Sequence, residues 1–336
     1  MTFILNKSDY DPSLDYLKGL CIFFVVLTHC IPIQVHDWSL FCLWGDMAVP
    51  LFLIIQVFHA YKRGKVAPRF QISKIWFRIL RPFLMVQSVI LLIMLCGGGD
   101  LLTTVVTFVV GGGNGPGSYY TWIYLQFALL LPVLHKYIVN MSKTRLLIVF
   151  VGLSIIIELL CSLIQMPQFL YRLLCLRYVF LIYFGVQVVR DGIVMNRSLL
   201  VLSFFSTLTV LFFSYADFNM EPVFFQTGWK ICHWPCYFYV GYLLLWLLRW
   251  SYNWMQLRFP RVELVVEQMG RYSYEIFLWQ MFWFFLIIIG RERIIDIVSE
   301  HILYASLIID IVVMCISPFV CVIPVLGLKK VRFLSV

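Results

Sequence analysis

Lys18 and His29 stand eleven residues apart in a stretch otherwise dominated by apolar side chains, Leu17-Lys18-Gly19-Leu20-Cys21-Ile22-Phe23-Phe24-Val25-Val26-Leu27-Thr28-His29, with Asp15 just ahead. Eleven α-helical residues turn through about 1100°, which returns to within roughly 20° of the starting face. The two side chains therefore share one stripe of a predicted helix, separated by roughly 16 Å along its axis. An imidazole, with an unperturbed pKa of about 6.5, is the natural general base at neutral pH. A lysine at a helix end either holds an anion or extends its ammonium to the membrane surface. A histidine at bilayer depth is costly to bury, which marks it as a candidate functional residue.

The chain that must position these groups has 336 residues, of which 62% are hydrophobic and 13% charged. A soluble domain carries about 25% charged residues. Apolar stretches of spanning length recur from residue 17 to residue 326, and no polar stretch is long enough for a separate soluble domain. The reading is an all-α, polytopic membrane helix bundle forming a single membrane-embedded domain over residues 1–336. About ten transmembrane helices are expected, near 17–33, 45–61, 77–96, 120–139, 145–164, 172–189, 198–215, 232–249, 273–290 and 302–326. Leu101–Val110 is apolar but short. Glycines flank it at Gly97–Gly99 and Gly111–Gly117, so it reads as a re-entrant or interfacial piece. The polar first sixteen residues lack the basic n-region and cleavage site of a removable signal peptide.

With the N-terminus placed in the cytoplasm, twenty-one of the 26 Lys and Arg residues fall on the inner side. Arg172, Arg177, Lys230, Arg291 and Arg293 remain for the outer half. This bias predicts that both termini are cytoplasmic, in a multi-pass protein of the plasma or inner membrane. It also explains the net charge of +9 as a topology signal, and the scarcity of outer positive charge argues against a nucleic-acid partner. Ten cysteines fall mostly in apolar runs, where they need no special role. Cys232-His233-Trp234-Pro235-Cys236 invites a metal reading, but no further ligands stand at zinc-site spacing, so no metal is expected. The Gly111–Gly117 loop lacks the lysine and strand–helix context of a phosphate-binding P-loop. Arg78 and Arg81, three residues apart, would share a helix face and could fork onto phosphates; equally, they could mark the lipid headgroup level.

Several of these pieces occur in a fixed order that resembles acyltransferase family 3, membrane proteins that O-acylate sugars of cell-surface glycans from acyl-CoA. The family's first helix carries a basic residue, ten arbitrary residues and a histidine, matched by Lys18 and His29. Ala48-Val49-Pro50-Leu51-Phe52-Leu53-Ile54-Ile55 is similar to the following family segment, which usually continues Ser-Gly-aromatic where this chain has Gln56-Val57-Phe58. Arg78 and Arg81 match its Arg-x-x-Arg element. Gly117-Ser118-Tyr119-Tyr120-Thr121-Trp122-Ile123-Tyr124-Leu125-Gln126 resembles a glycine-then-aromatic helix start. Gly270-Arg271-Tyr272-Ser273-Tyr274-Glu275-Ile276-Phe277-Leu278-Trp279-Gln280 resembles a late segment in which Gln280 stands where a histidine often lies.

The resemblance implies an O-acyltransferase, with acetyl-CoA as the expected donor at the cytoplasmic face and a glycan acceptor at the outer face. Membrane lipid and polysaccharide assembly proteins are the other expected partners. His29 is the expected catalytic base, acting either directly on a sugar hydroxyl or as a transient acyl-imidazole. Lys18, Arg78 and Arg81 would hold the anionic head of CoA. Gln56, Gln126 and Gln280 could donate to an oxyanion, read sugar hydroxyls, or simply bond between helices. Glu275 could orient an imidazole, bind sugar, or pair with an arginine such as Arg177. Tyr119, Tyr120 and Trp122 could stack on a sugar or belong to the interfacial aromatic belt. Glu158 and Asp310 read as isolated intramembrane acids, structural or protonated, and His59 and His135 as interfacial. The rival reading is a non-enzymatic transporter or flippase for lipid-linked sugars or small acids, against which stands the absence of a convincing internal repeat.

Overall fold

The computed structural model describes residues 11–31, 40–63, 68–215, 235–299 and 305–333, and among these every regular element is helical. The helices of ten or more residues are α1 (Pro12–Thr28), α2 (Ala48–Arg63), α3 (Arg81–Cys96), α4 (Leu101–Gly111), α5 (Tyr119–Ile138), α6 (Lys143–Leu163), α7 (Leu181–Asp191), α8 (Arg197–Tyr215), α9 (Pro235–Arg258), α10 (Pro260–Arg271), α11 (Ser273–Ser299) and α12 (Ala305–Phe333). Five described segments are long and apolar enough to cross a membrane: Phe41–Lys62, Ile72–Cys96, Lys143–Leu163, Ser273–Arg291 and Ser306–Leu328. The expected short piece after Gly97–Gly99 is α4. Asp100 caps its start by accepting from the Thr103 N–H, and Gly112, at φ 72°, ends it.

The chain forms two compact units. Among the described residues, the aromatic unit takes those within 42–80 and 119–254, and the histidine unit those within 12–41, 81–118 and 255–333.

In the histidine unit, α1 packs most extensively against α10, a helix the apolar pattern did not reveal. Their backbones touch at two glycines. A Cβ on Gly19 would fall 1.9 Å from the Val266 carbonyl oxygen, and one on Gly270 would fall 1.7 Å from that of Asp15. Only hydrogen fits at such a crossing. Ser13 and Asp15 are buried in the first turn of α1, which begins at Pro12, five residues before the expected span, and ends at Thr28.

Helix α12 carries two internal prolines, and each frees the carbonyl four residues earlier. Both carbonyls are used. Pro318 leaves the Met314 oxygen to the Cys30 thiol at 3.9 Å, and Pro324 leaves the Val320 oxygen to the Trp279 indole N–H at 2.8 Å. Neighbouring helices re-satisfy a broken helix in this way inside an apolar environment. The Trp283 indole donates to Ser317 Oγ, and Arg291 forks onto both carboxylate oxygens of Asp310. Asp310 is therefore a paired acid, which corrects its reading as isolated.

In the aromatic unit, α2 meets α7 through Gly185, where a Cβ would lie 2.4 Å from that of Val57. Phe180, Phe184, Tyr239 and Tyr242 interlock around this junction. The Arg190 guanidinium donates to the carbonyls of Met141 and Ile138, closing the end of α5 with a cation. The span expected over 172–189 is broken. A short helix, Gln168–Leu173, and a 3-10 turn, Cys175–Tyr178, precede α7. The break is held by Gln126, whose amide donates to the Leu173 carbonyl at 2.6 Å and accepts from the Cys175 N–H at 3.0 Å.

Candidate functional site

His29 is not inside a helix, as its apolar surroundings suggested, but in the turn that ends α1. Its N–H and that of Cys30 bond three residues back, to Val26 and Leu27, tightening the chain as the helix stops. The half-buried imidazole meets the Phe284 ring edge-on at 5.8 Å between centroids. It also lies against Gly117, where a Cβ would come within 3.7 Å of Nε2 and 3.2 Å of the Phe277 ring. Gly117, at φ 79°, thus provides both the backbone turn and the close approach that a side chain would block.

The loop that brings Gly117 there is folded into the unit. Gly112, Gly113, Asn114, Gly117 and Ser118 are buried. Gln87 of α3 clamps it: the carboxamide donates to the Asn114 carbonyl at 2.9 Å and accepts from the Asn114 N–H at 2.7 Å. Sequence reasoning missed Gln87, because one amide in an apolar helix gives no sign of the loop it holds. On the other side, the loop meets α11. A Cβ on Gly115 would fall 2.9 Å from the Met281 carbonyl oxygen, and the Gln87 amide nitrogen lies 4.0 Å from Met281 Sδ.

Phe277, Gln280, Met281 and Phe284 follow the i, i+3, i+4, i+7 spacing of one helix face, so Gln280 sits on the stripe that carries both phenylalanines around His29 and Gly117. Gln280 is fully buried, yet neither end of its carboxamide has a hydrogen-bond partner. Nor does the buried Nδ2 of Asn114. Each unmade bond of this kind costs about 1–3 kcal/mol, and a buried amide left open asks for an occupant.

The remaining sequence candidates divide between the units. In the histidine unit, Lys18 pairs with Asp15, and Asp15 also faces Arg271 Nε at 3.7 Å, while Arg271 bonds Glu267. The Lys18 ammonium is thus part of a network with carboxylates on both α1 and α10. Arg81 is exposed at the start of α3, and Glu275 is half-buried in the first turn of α11. Arg78, in the aromatic unit, is exposed within a π-helical stretch, Trp76–Leu80. There i→i+5 bonding widens the turn, so the α-helical i,i+3 face expected for the two arginines is not the geometry of that stretch.

Also in the aromatic unit, the Gln56 amide donates to the Tyr124 carbonyl at 2.9 Å, while its buried Oε1 has no partner. Gln126 spends both ends of its amide on backbone. Tyr120 packs with Phe52 and Tyr124, and Trp122 is half-buried. Tyr119 is covered by two guanidiniums, Arg172 at 4.4 Å and Arg177 at 5.2 Å from its ring centre. Arg177 is buried with Tyr171 and Tyr178, and Tyr171 donates its hydroxyl to Glu158 at 2.5 Å. Glu158 also feels the Arg177 charge, so Arg177 belongs to this cluster and Glu158 is not isolated. Among the described residues no group of three His, Cys, Asp or Glu could hold a metal. The Cys232–Cys236 motif lies outside the residues whose side chains are described.

A family model described as an acyltransferase domain, that of acyltransferase family 3, matches residues 11–326. The chain belongs to acyltransferase family 3. The match runs through both compact units, from the residue before α1 into α12, and contains the histidine turn, the clamped glycine loop and both arginines. No curated protein and no solved structure matches the chain significantly. Family membership and the long apolar helices together make it a membrane acyltransferase.

Proposed function

We propose that this acyltransferase family 3 protein O-acetylates an exported or surface polysaccharide, moving an acetyl group from cytoplasmic acetyl-CoA to a sugar hydroxyl. The observation that carries the reading is His29 itself. Its imidazole ends a helix, half-buried against Gly117 and Phe284, in a chain of this family. In that place it takes the proton of the sugar hydroxyl as the oxygen attacks the thioester carbonyl, and returns it to the departing thiolate. A transient acyl-imidazole on the same ring would divide the transfer into two steps.

Arg78 and Arg81, both exposed, would hold the anionic head of the donor, with Lys18 lending the share of its charge that Asp15 leaves. Gln280 would bind near the reacting centre, since it shares a helix face with the ring that touches His29. Tyr119, Tyr120, Trp122 and Gln56 of the aromatic unit would offer aromatic and polar contacts suited to a sugar, and Glu275 of the histidine unit would offer a carboxylate. Gln126 acts one step back, by holding the Leu173–Cys175 break. About ten spans, cytoplasmic termini and the plasma or inner membrane complete the proposal, supported by the basic-residue bias of the sequence.

The test is release of free CoA thiol by the detergent-purified protein, supplied with acetyl-CoA and unacetylated surface glycan. His29→Ala should lower kcat by about 10²–10⁴-fold. Thiol release that survives His29→Ala would refute the assignment. Acetylated protein trapped without acceptor, and lost in His29→Ala, would select the two-step route.

A further inference from the structure

We infer that the Asn114 carboxamide donates a hydrogen bond to the oxyanion formed during acyl transfer, and that Gln87 is the positioning residue that holds it there. This inference rests on the acyl-transfer reading of His29 and assigns a partner to that base.

Four observations converge on Asn114. First, its backbone is fixed at both polar atoms by one side chain, with Gln87 bonds of 2.9 and 2.7 Å inside a buried loop. An asparagine in a glycine-rich turn ordinarily serves the turn by bonding nearby backbone. Here Gln87 holds the backbone instead, and Nδ2 stays buried without a partner.

Second, the loop is short and ends on the base. Asn114 and Gly117 are three residues apart, no more than about 11 Å along the chain, and Gly117 lies against His29 Nε2. Third, the loop rests on α11 at Met281, the chain neighbour of Gln280, whose own amide is also buried and open. The loop and the helix face that meet His29 through Gly117 and Phe284 thus each carry an unsatisfied carboxamide. Fourth, every position that permits the approach is glycine: Gly113, Gly115 and Gly117 all have positive φ, and a Cβ on any of them would meet a neighbour within 3.2 Å.

The chemistry needs a donor at this point. As the sugar oxygen bonds to the acyl carbon, its proton passes to His29 and the carbonyl π pair moves onto oxygen. That oxyanion then collapses, the C–S bond breaks with its pair leaving on sulfur, and His29 returns the proton to the thiolate. A fixed N–H in a water-poor site stabilises the negative oxygen more than the neutral carbonyl, which lowers the barrier without tightening ground-state binding. Gln87 fixes the Asn114 backbone, so the carboxamide has only its two side-chain torsions to set when the charge appears.

The experiment uses the purified full-length protein with acetyl-CoA and unacetylated glycan, in wild type, Asn114→Ala, Asn114→Asp and Gln87→Leu. Removing one such donor should cost kcat about 100-fold while KM for acetyl-CoA stays within about twofold. Asn114→Asp keeps the size and the backbone bonds but replaces Nδ2 with oxygen, so it should lose as much. Gln87→Leu should lower kcat by about tenfold, again with little change in KM. With acetyl-CoA carrying ¹³C at the carbonyl, the bound C=O stretch should fall below that of free acetyl-CoA in wild type. In Asn114→Ala it should return to the free value.

Wild-type kcat in both Asn114 variants, with an active His29-dependent wild type, overturns the inference alone. So does a loss of kcat that tracks a lowered thermal midpoint while the carbonyl shift persists. Absence of His29-dependent thiol release in wild type removes the acyl-transfer reading, and the inference with it.

Discussion

At the scale of single residues, the cations expected to hold the donor are not equivalent. Lys18 is 22% exposed and paired with Asp15, whereas Arg78 and Arg81 are exposed in or next to a π-helical stretch of the kind often found at functional sites. Losing one charge-assisted bond costs about 1.5–3 kcal/mol, or roughly tenfold or more in affinity. Arg78→Ala/Arg81→Ala should therefore weaken acetyl-CoA binding at least tenfold by titration calorimetry, and Lys18→Ala should weaken it less. Equal losses would show that Lys18 carries a full share despite its pair. Sequence singled out His29 by its type and setting, and Gln280 by its place in an apolar helix, as candidates. It did not single out Gln87 or Asn114, since the clamp between them shows only when both ends are seen.

At the scale of elements, glycine contacts set where helices cross. Gly19→Ala would drive a methyl group into the Val266 carbonyl, a backbone atom that cannot turn aside, and Gly270→Ala would do the same at Asp15. Each should destabilise the fold by roughly 3 kcal/mol, seen as loss of the monodisperse peak in size-exclusion chromatography. Gly152→Ala and Gly290→Ala, with open space around the added carbon, serve as neutral controls. The helices themselves were largely readable from apolar length. Their ends were less so: α1 starts early, with polar Ser13 and Asp15 buried in its first turn, and the 172–189 run is interrupted where Gln126, nearly fifty residues away, bonds across it.

At the scale of the whole molecule, the basic residues argue for one topology. Reporters active only in the cytoplasm, fused separately to each terminus, should both be active; one active and one silent terminus would require an odd number of crossings. Composition was sufficient for the class. With 62% hydrophobic and 13% charged residues, the chain is suited to lipid, where the backbone must satisfy itself, and helices do this within one segment. Periodicity and the order of the motifs therefore led to a helical membrane acyltransferase, with His29 as its candidate base. The clamp of Gln87 on the glycine loop could not be reached that way. Gln87 and Asn114 are 27 residues apart, and Gln87 and Met281 are 194 apart. No helical period links such positions. They meet because packing brings α3, the glycine loop and α11 together, and that packing alone leaves the Asn114 and Gln280 amides buried and open.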